Sequence, residues 1–237
     1  MRTETPEELE RLDRLLVGAG HSLRTPLNAV LGFTEVLLME LPGSLNEEQR
    51  RQLRNVRSGS QLLEMTIDNV LDLVRMETDT LPTPLTTVDV GAVVAEVRTK
   101  LQSFADEKGL RLTVEIPAGM TLLTNERALT RILLNLVSNA ISFTDAGVVQ
   151  ILGVLSDGVG TARIDVIDTG VGLPELQPER LFEPFERGPT REGDARGAAG
   201  LGLHVSCRLA DVLGTEIVVQ SRPGRGSRVS LVLPRKG

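Results

Sequence analysis

The sequence predicts an α+β protein: a helical hairpin that forms a dimeric four-helix bundle, followed by an α/β two-layer sandwich domain. Three observations carry this. Residues 1–80 place apolar side chains at the 3-4 spacing of a helix seam, and residues 81–237 mix helical periodicity with short alternating strands. Thr80-Leu81-Pro82-Thr83-Pro84 interrupts both patterns and reads as the linker between two domains, 1–80 and 81–237.

In the first domain, residues 7–40 read as one helix, with Glu7 and Glu8 near its positive N-terminal end. Leu9, Leu16, Leu23, Val30 and Leu37 form one core row, and Leu12, Ala19, Pro26 and Phe33 a second. His21 falls on the opposite, solvent-facing side. A histidine ring is largely neutral near pH 7, which leaves a nitrogen able to attack an electrophile. Pro26 cannot donate to the carbonyl of Ser22, so the helix is expected to loosen there. Leu41-Pro42-Gly43-Ser44 ends this helix, and Ser44 or Asn46 caps the next, over 47–77. Its seam is Leu53, Val56, Ser60, Leu63, Ile67, Val70 and Val74. A lone hairpin leaves part of each stripe wet, and pairing two hairpins buries it, so a homodimer is expected.

In the second domain a helix over about 89–108 ends at Gly109 and a strand follows at 111–116. A helix at 125–143, strands at 148–155 and 161–167, a helix at about 201–213 and closing strands at 216–221 and 227–233 complete the pattern. Gly224-Arg225-Gly226 is the last turn.

Composition excludes several classes. Net charge is −6 with no basic cluster, which argues against nucleic acid as a partner. The lone Cys207 allows no internal disulfide, which suits a reducing cytoplasm, and two histidines make a metal centre improbable. No long apolar run or signal peptide is present, so a cytoplasmic chain with no membrane segment is expected. Tyr and Trp are absent, so a nucleotide base must be held without their rings.

Three stretches of the second domain suit a nucleotide. On the 125–143 helix, Leu129, Ile132, Leu133, Leu136 and Ala140 make the buried stripe, while Asn135 and Asn139 lie one turn apart on another face. Asparagine is a mediocre helix former; its carbonyl suits a hard cation such as Mg²⁺ and its amide can donate to phosphate. Val166-Ile167-Asp168-Thr169-Gly170-Val171-Gly172-Leu173 runs a strand into a glycine turn. There a carboxylate can accept from the exocyclic amine of adenine, and glycines permit close approach. Gly197-Ala198-Ala199-Gly200-Leu201-Gly202-Leu203 opens onto a helix N-terminus, where free N–H groups cradle phosphate. A dinucleotide fingerprint is the rival for this last stretch, but its third glycine is missing, with Val205 following. Between these stretches Phe182 and Phe185 could anchor a lid.

His21-Ser22-Leu23-Arg24-Thr25-Pro26-Leu27, the paired asparagines, Asp168-x-Gly170-x-Gly172, the paired phenylalanines and Gly200-Leu201-Gly202-Leu203 occur in the order found in sensor histidine kinases. The chain resembles that family over roughly residues 8–235. The resemblance implies a dimerisation and histidine-phosphotransfer hairpin, then a catalytic ATP-binding domain of the gyrase and heat-shock-chaperone type. It implies that His21 accepts phosphate from ATP and passes it to an aspartate on a response regulator receiver domain. By the same resemblance Asn135 and Asn139 serve Mg²⁺ and the phosphates, with Asn135 as the metal ligand. Asp168 reads adenine, Gly170 and Gly172 shape its pocket, and Gly200 and Gly202, with Leu201 and Leu203, form the lid hinge and phosphate contacts. Related hydrolysing ATPases carry Glu where Asn135 stands, and an amide cannot act as general base on water. An upstream sensor domain or signalling partner is implied outside this sequence.

Five positions depart from the family pattern. Ser22 replaces the acid expected beside the histidine, and general-base help is typically worth ~10²–10⁴ in rate. Ser142 stands where a cation often reaches the phosphates. Ala198 and Ala199 stiffen the lid, and Asn125 stands where an acid often begins the asparagine helix. Thr25 matches the position implicated in dephosphorylating the regulator. The alternative reading is therefore a kinase-weak phosphatase or pseudokinase phosphotransfer module.

Overall fold

A computed structural model describes residues 6–77, 85–155, 161–173 and 201–234. The chain divides into two compact units, Met1–Leu81 and Pro82–Gly237.

The first unit is an antiparallel pair of long helices, α1 (Pro6–Leu38) and α2 (Glu47–Glu77). Glu40, with φ of 57°, breaks α1, and α2 starts on a reciprocal cap. The N–H of Gln49 donates to Asn46 Oδ1 (2.8 Å), and the Asn46 N–H donates to Gln49 Oε1 (3.0 Å). Arg24–Asp68, Glu35–Arg57 and Glu40–Arg50 ion pairs then fix the register along the hairpin.

The seam between the two helices differs from the predicted rows. Gly20, Leu27 and Thr34, seven residues apart, are the buried positions of α1 among the residues whose burial is described. At Gly20 a Cβ would stand 2.5 Å from Leu71 Cδ1, so the helices meet closely there. Leu23, Val30, Leu37 and Phe33 remain exposed, as do Val56, Leu63 and Val70 of α2. Two helices bury only one stripe apiece against each other, so the neighbouring heptad rows stay open within one chain.

In the second unit β1 (Thr86–Asp89) pairs with β3 (Thr121–Thr124) in a small antiparallel sheet that the sequence reading missed. The main sheet runs β2-β4-β5-β7-β6, comprising β2 (Arg111–Glu115), β4 (Val148–Leu155), β5 (Thr161–Asp168), β7 (Ser227–Pro234) and β6 (Glu216–Ser221). Only β2 and β4 are parallel. Helices α3 (Val90–Glu107), α4 (Glu126–Phe143) and α5 (Gly202–Val212) complete the layers. Asp89 caps α3 by accepting from the N–H groups of Gly91 and Ala92, and Asn125 caps α4 by accepting from Ala128 N–H. Thus Asn125 is a helix cap, as its type suggests.

The core lies between the helices and one sheet face. Val94, Val97, Leu129, Ile132, Leu133 and Val205 meet Val149, Ile151, Ile164, Val166 and Leu231, each almost fully buried. The period-2 alternation of β5 buries Ala162, Ile164 and Val166 in turn and carries Asp168 onto that same face. On the other face Asp165, also fully buried, pairs with Arg163 (2.8 Å) and Arg228 (3.5 Å).

Candidate functional site

The described residues expected to serve a nucleotide lie on three elements of the second unit, α4, α5 and the end of β5 with the loop that follows it. The apolar stripe of α4 faces the core and sets the rotation of the helix, leaving Asn139 half-buried. Asn135 is only 2% exposed, and its Nδ2 has no hydrogen-bond partner among the described residues. Such an orphaned donor costs about 1–3 kcal/mol in a finished fold, so its presence points to a ligand. Gly202, the first residue of α5, borders both amides: a Cβ there would lie 3.7 Å from Asn135 Oδ1 and from Asn139 Nδ2. The bare backbone leaves that space open. Leu201, the buried N-cap of α5, makes no side-chain cap hydrogen bond among the described residues, and the helix starts beside these two amides. Leu203 is half-buried one residue further on.

Asp168 ends β5 with its carboxylate almost wholly buried. Burial pushes its pKa up, opposed by donation from Gly170 N–H, Ser227 N–H and Ser227 Oγ. The Gly170 bond is 2.8 Å long. Three fixed donors orient the carboxylate and leave it acceptor capacity for an amine.

The glycines after Asp168 are required by close packing. A Cβ on Gly170 would come 2.3 Å from the carbonyl oxygen of Phe143, at the end of α4. Gly172 has φ of 67°, and a Cβ would come 2.1 Å from Arg222 O. Val171 N–H donates to Phe143 O (3.3 Å), and Leu173 N–H donates to Ser221 Oγ (2.7 Å). The loop is thus clamped between α4 and the β6–β7 turn.

Sequence reasoning missed Ser227. The run Gly224-Arg225-Gly226 read as a turn alone, yet Gly226, with φ of 80°, lies so close that a Cβ would meet Asp168 O at 2.0 Å. That contact delivers Ser227 to the carboxylate, and Ser221 Oγ braces it at 2.9 Å. A signal was available: small residues at the start of a strand that ends beside a functional strand terminus. Ser142 is half-buried near the end of α4. Gly200, Ala198, Ala199, Phe182 and Phe185 lie outside the described residues.

In the first unit His21 is exposed on α1, which continues through Pro26. Ser22 Oγ donates to Gly18 O (2.8 Å), and Thr25 Oγ1 donates to His21 O (3.1 Å). Both hydroxyls therefore point back along the helix. On a 3.6-residue turn His21 lies about 180° from Val30, away from the open apolar row.

A buried carboxylate with fixed donors, a glycine clamp and two amides at a helix N-terminus define a nucleotide-binding domain on a mixed sheet. Residues 124–237 match the histidine kinase-, DNA gyrase B- and HSP90-like ATPase family, and residues 11–79 match the His Kinase A (phospho-acceptor) domain. With these two domains in this order, the chain belongs to the sensor histidine kinases of two-component systems. It is 36% identical to histidine protein kinase DivJ of Caulobacter vibrioides, over 93% of this chain and 37% of that protein. It is 33% identical to signal transduction histidine-protein kinase BarA of Escherichia coli K12, over 90% of this chain and 23% of BarA. The chain therefore spans well under half of these relatives. Among solved structures, full-length ShkA in complex with AMPPNP is 31% identical with a TM-score of 0.65, covering 98% of this chain and 46% of that one. Acinetobacter baumannii histidine kinase AdeS, at 20% identity and a TM-score of 0.61 over 92% of this chain and 98% of that one, shares the fold.

Proposed function

We propose that this chain binds ATP in its second unit and transfers the γ-phosphoryl group to a ring nitrogen of His21. The bond from the γ-phosphorus to the β,γ-bridging oxygen breaks, ADP leaves, and a phosphorus–nitrogen bond forms. The observation that carries the reading is the orphaned amide of Asn135 beside Asn139 and Gly202, in the same domain as the donor-fixed carboxylate of Asp168. Asp168 accepts from the adenine amine. Asn139 and the α5 N-terminus serve the phosphates. Mg²⁺, when bound, neutralises charge on the phosphates, and Asn135 Oδ1 is its candidate protein ligand. No cluster of three His, Cys, Asp or Glu side chains suited to a metal occurs among the described residues, so that ion would depend on the nucleotide's own oxygens. An amide at position 135 cannot take a proton from water, which favours transfer over hydrolysis.

The exposed rows Leu23, Val30 and Leu37 of α1 and Val56, Leu63 and Val70 of α2 support a homodimer. Covering these rows leaves His21 accessible on the far side. From phosphohistidine the group passes to an aspartate of a response regulator receiver domain, and a sensor domain or signalling partner outside this sequence supplies the input.

Incubation with γ-labelled MgATP should place acid-labile phosphate on the protein and none on His21→Ala. A protein that binds ATP and stays unlabelled would overturn this function. The second reading, a phosphatase for the regulator, is favoured by Ser22, whose hydroxyl is turned to Gly18 O where the family supplies an acid. It predicts that the protein speeds loss of aspartyl phosphate from a receiver domain and that Thr25→Ala abolishes this effect.

A further inference from the structure

We infer that Lys108 is a positioning residue of the nucleotide site, fixing the end of the asparagine helix against the loop that follows Asp168. This inference rests on the nucleotide-binding reading above. Lys108 closes α3: its N–H donates to Ala105 O (3.1 Å), and Gly109, with φ of 66°, turns the chain away. Its side chain then crosses to α4. The ammonium donates to Ile141 O (2.7 Å), Ser142 O (2.7 Å) and Thr144 O (3.0 Å). These are carbonyls at the negative end of a helix, which lack intrahelical donors and attract a cation. Three donors of one point charge meet three acceptors, and the group is half-buried, so the bonds are charge-assisted and partly shielded from water.

The carbonyl left out of this set is the one the site uses. Phe143 O, between the bonded carbonyls of Ser142 and Thr144, accepts from Val171 N–H and lies 2.3 Å from where a Cβ on Gly170 would stand. Lys108 therefore pins the α4 terminus on both sides of the oxygen that seats the Asp168–Gly172 loop. The same helix carries Asn135 and Asn139. One lysine thus sets the spacing between the group that reads the base and the amides that serve the phosphates, touching neither. Thr144 Oγ1 also donates to Ala140 O (2.7 Å), so the terminus would keep its helical form without the lysine and lose mainly its alignment.

The test compares full-length wild type, Lys108→Met, Lys108→Arg and Val97→Ala by calorimetric titration with MgATP, with melting temperatures recorded for each. Val97 is fully buried on α3 and makes none of the contacts described for the site, so its truncation supplies a structural loss of stability for comparison. Lys108→Met should weaken MgATP binding by about tenfold or more, the scale on which small misplacements act. Lys108→Arg should recover most of that loss, since a guanidinium can serve several carbonyls. Val97→Ala should lower the melting temperature without weakening binding. Equal affinity in wild type and Lys108→Met would overturn the inference. So would a loss in Lys108→Met that Val97→Ala reproduces at the same fall in melting temperature. Failure of wild type to bind MgATP would instead remove the nucleotide reading itself, and the inference with it.

Discussion

At Asp168 the protein keeps a carboxylate where burial disfavours its charge. The folded pKa lies above 3.8, so stability present below the unfolded value is lost as pH rises through the folded one. Asp168→Asn keeps an acceptor for Gly170 N–H and removes that loss. Its melting temperature should equal or exceed that of wild type at pH 7, with the gap narrowing towards pH 3.8, while MgATP binding disappears. A variant that melted lower and still bound ATP would refute both roles. Gly170→Ala should fail differently. Its methyl would meet the Phe143 carbonyl at 2.3 Å, a backbone atom that cannot swing aside, so we expect a cost of about 1–3 kcal/mol in denaturant unfolding. Cys207 offers a simple control. Burial, aided by the charge of Asp211, pushes its thiol up to about 12, so the folded protein should react slowly with a disulfide reagent at pH 8 and rapidly once unfolded. Much of this residue chemistry was legible beforehand. Asp168, Gly170 and Gly172 stood out as an acid and two glycines at a strand end, and Asn135 and Asn139 as amides beside an apolar stripe. Ser227 and Lys108 were not legible, because each reaches its partner across tens of residues, a relation set by sheet register and helix packing.

At the scale of elements, the long helices declared themselves through heptads, and of the two expected caps for the second helix, Ser44 and Asn46, the structure uses Asn46, paired with Gln49. What the pattern could not assign was which stripe faces which partner. Gly20 and Thr34 are not apolar markers, yet they line the inner seam, because closely approaching helices favour a small residue and a hydroxyl that bonds its own backbone. The more apolar positions Leu23, Val30, Phe33 and Leu37 lie outside. Val30→Lys should therefore leave the hairpin helical and convert dimers to monomers in sedimentation, since Val30 is already 43% exposed within one chain. A monomeric wild type would contradict the assignment of those rows. The short strands β1 and β3 escaped notice for a different reason. Each holds only four residues and buries one or two side chains, too few for an alternation to register.

At the scale of the molecule, the break at the proline-rich linker separates two units with different logic. One presents a histidine on an open helix face, and the other encloses a donor-fixed carboxylate and an amide whose Nδ2 has no partner among the described residues. In the function proposed above, phosphate moves from ATP to His21 and not to water. The most direct measurement follows γ-labelled phosphate in wild type and His21→Ala, counting label on protein and label released as free phosphate. Wild type should carry protein-bound, acid-labile label, and the variant should leave ATP intact. Free phosphate released at the same rate by both proteins would contradict that function, marking the chain as a hydrolase whose histidine is a bystander.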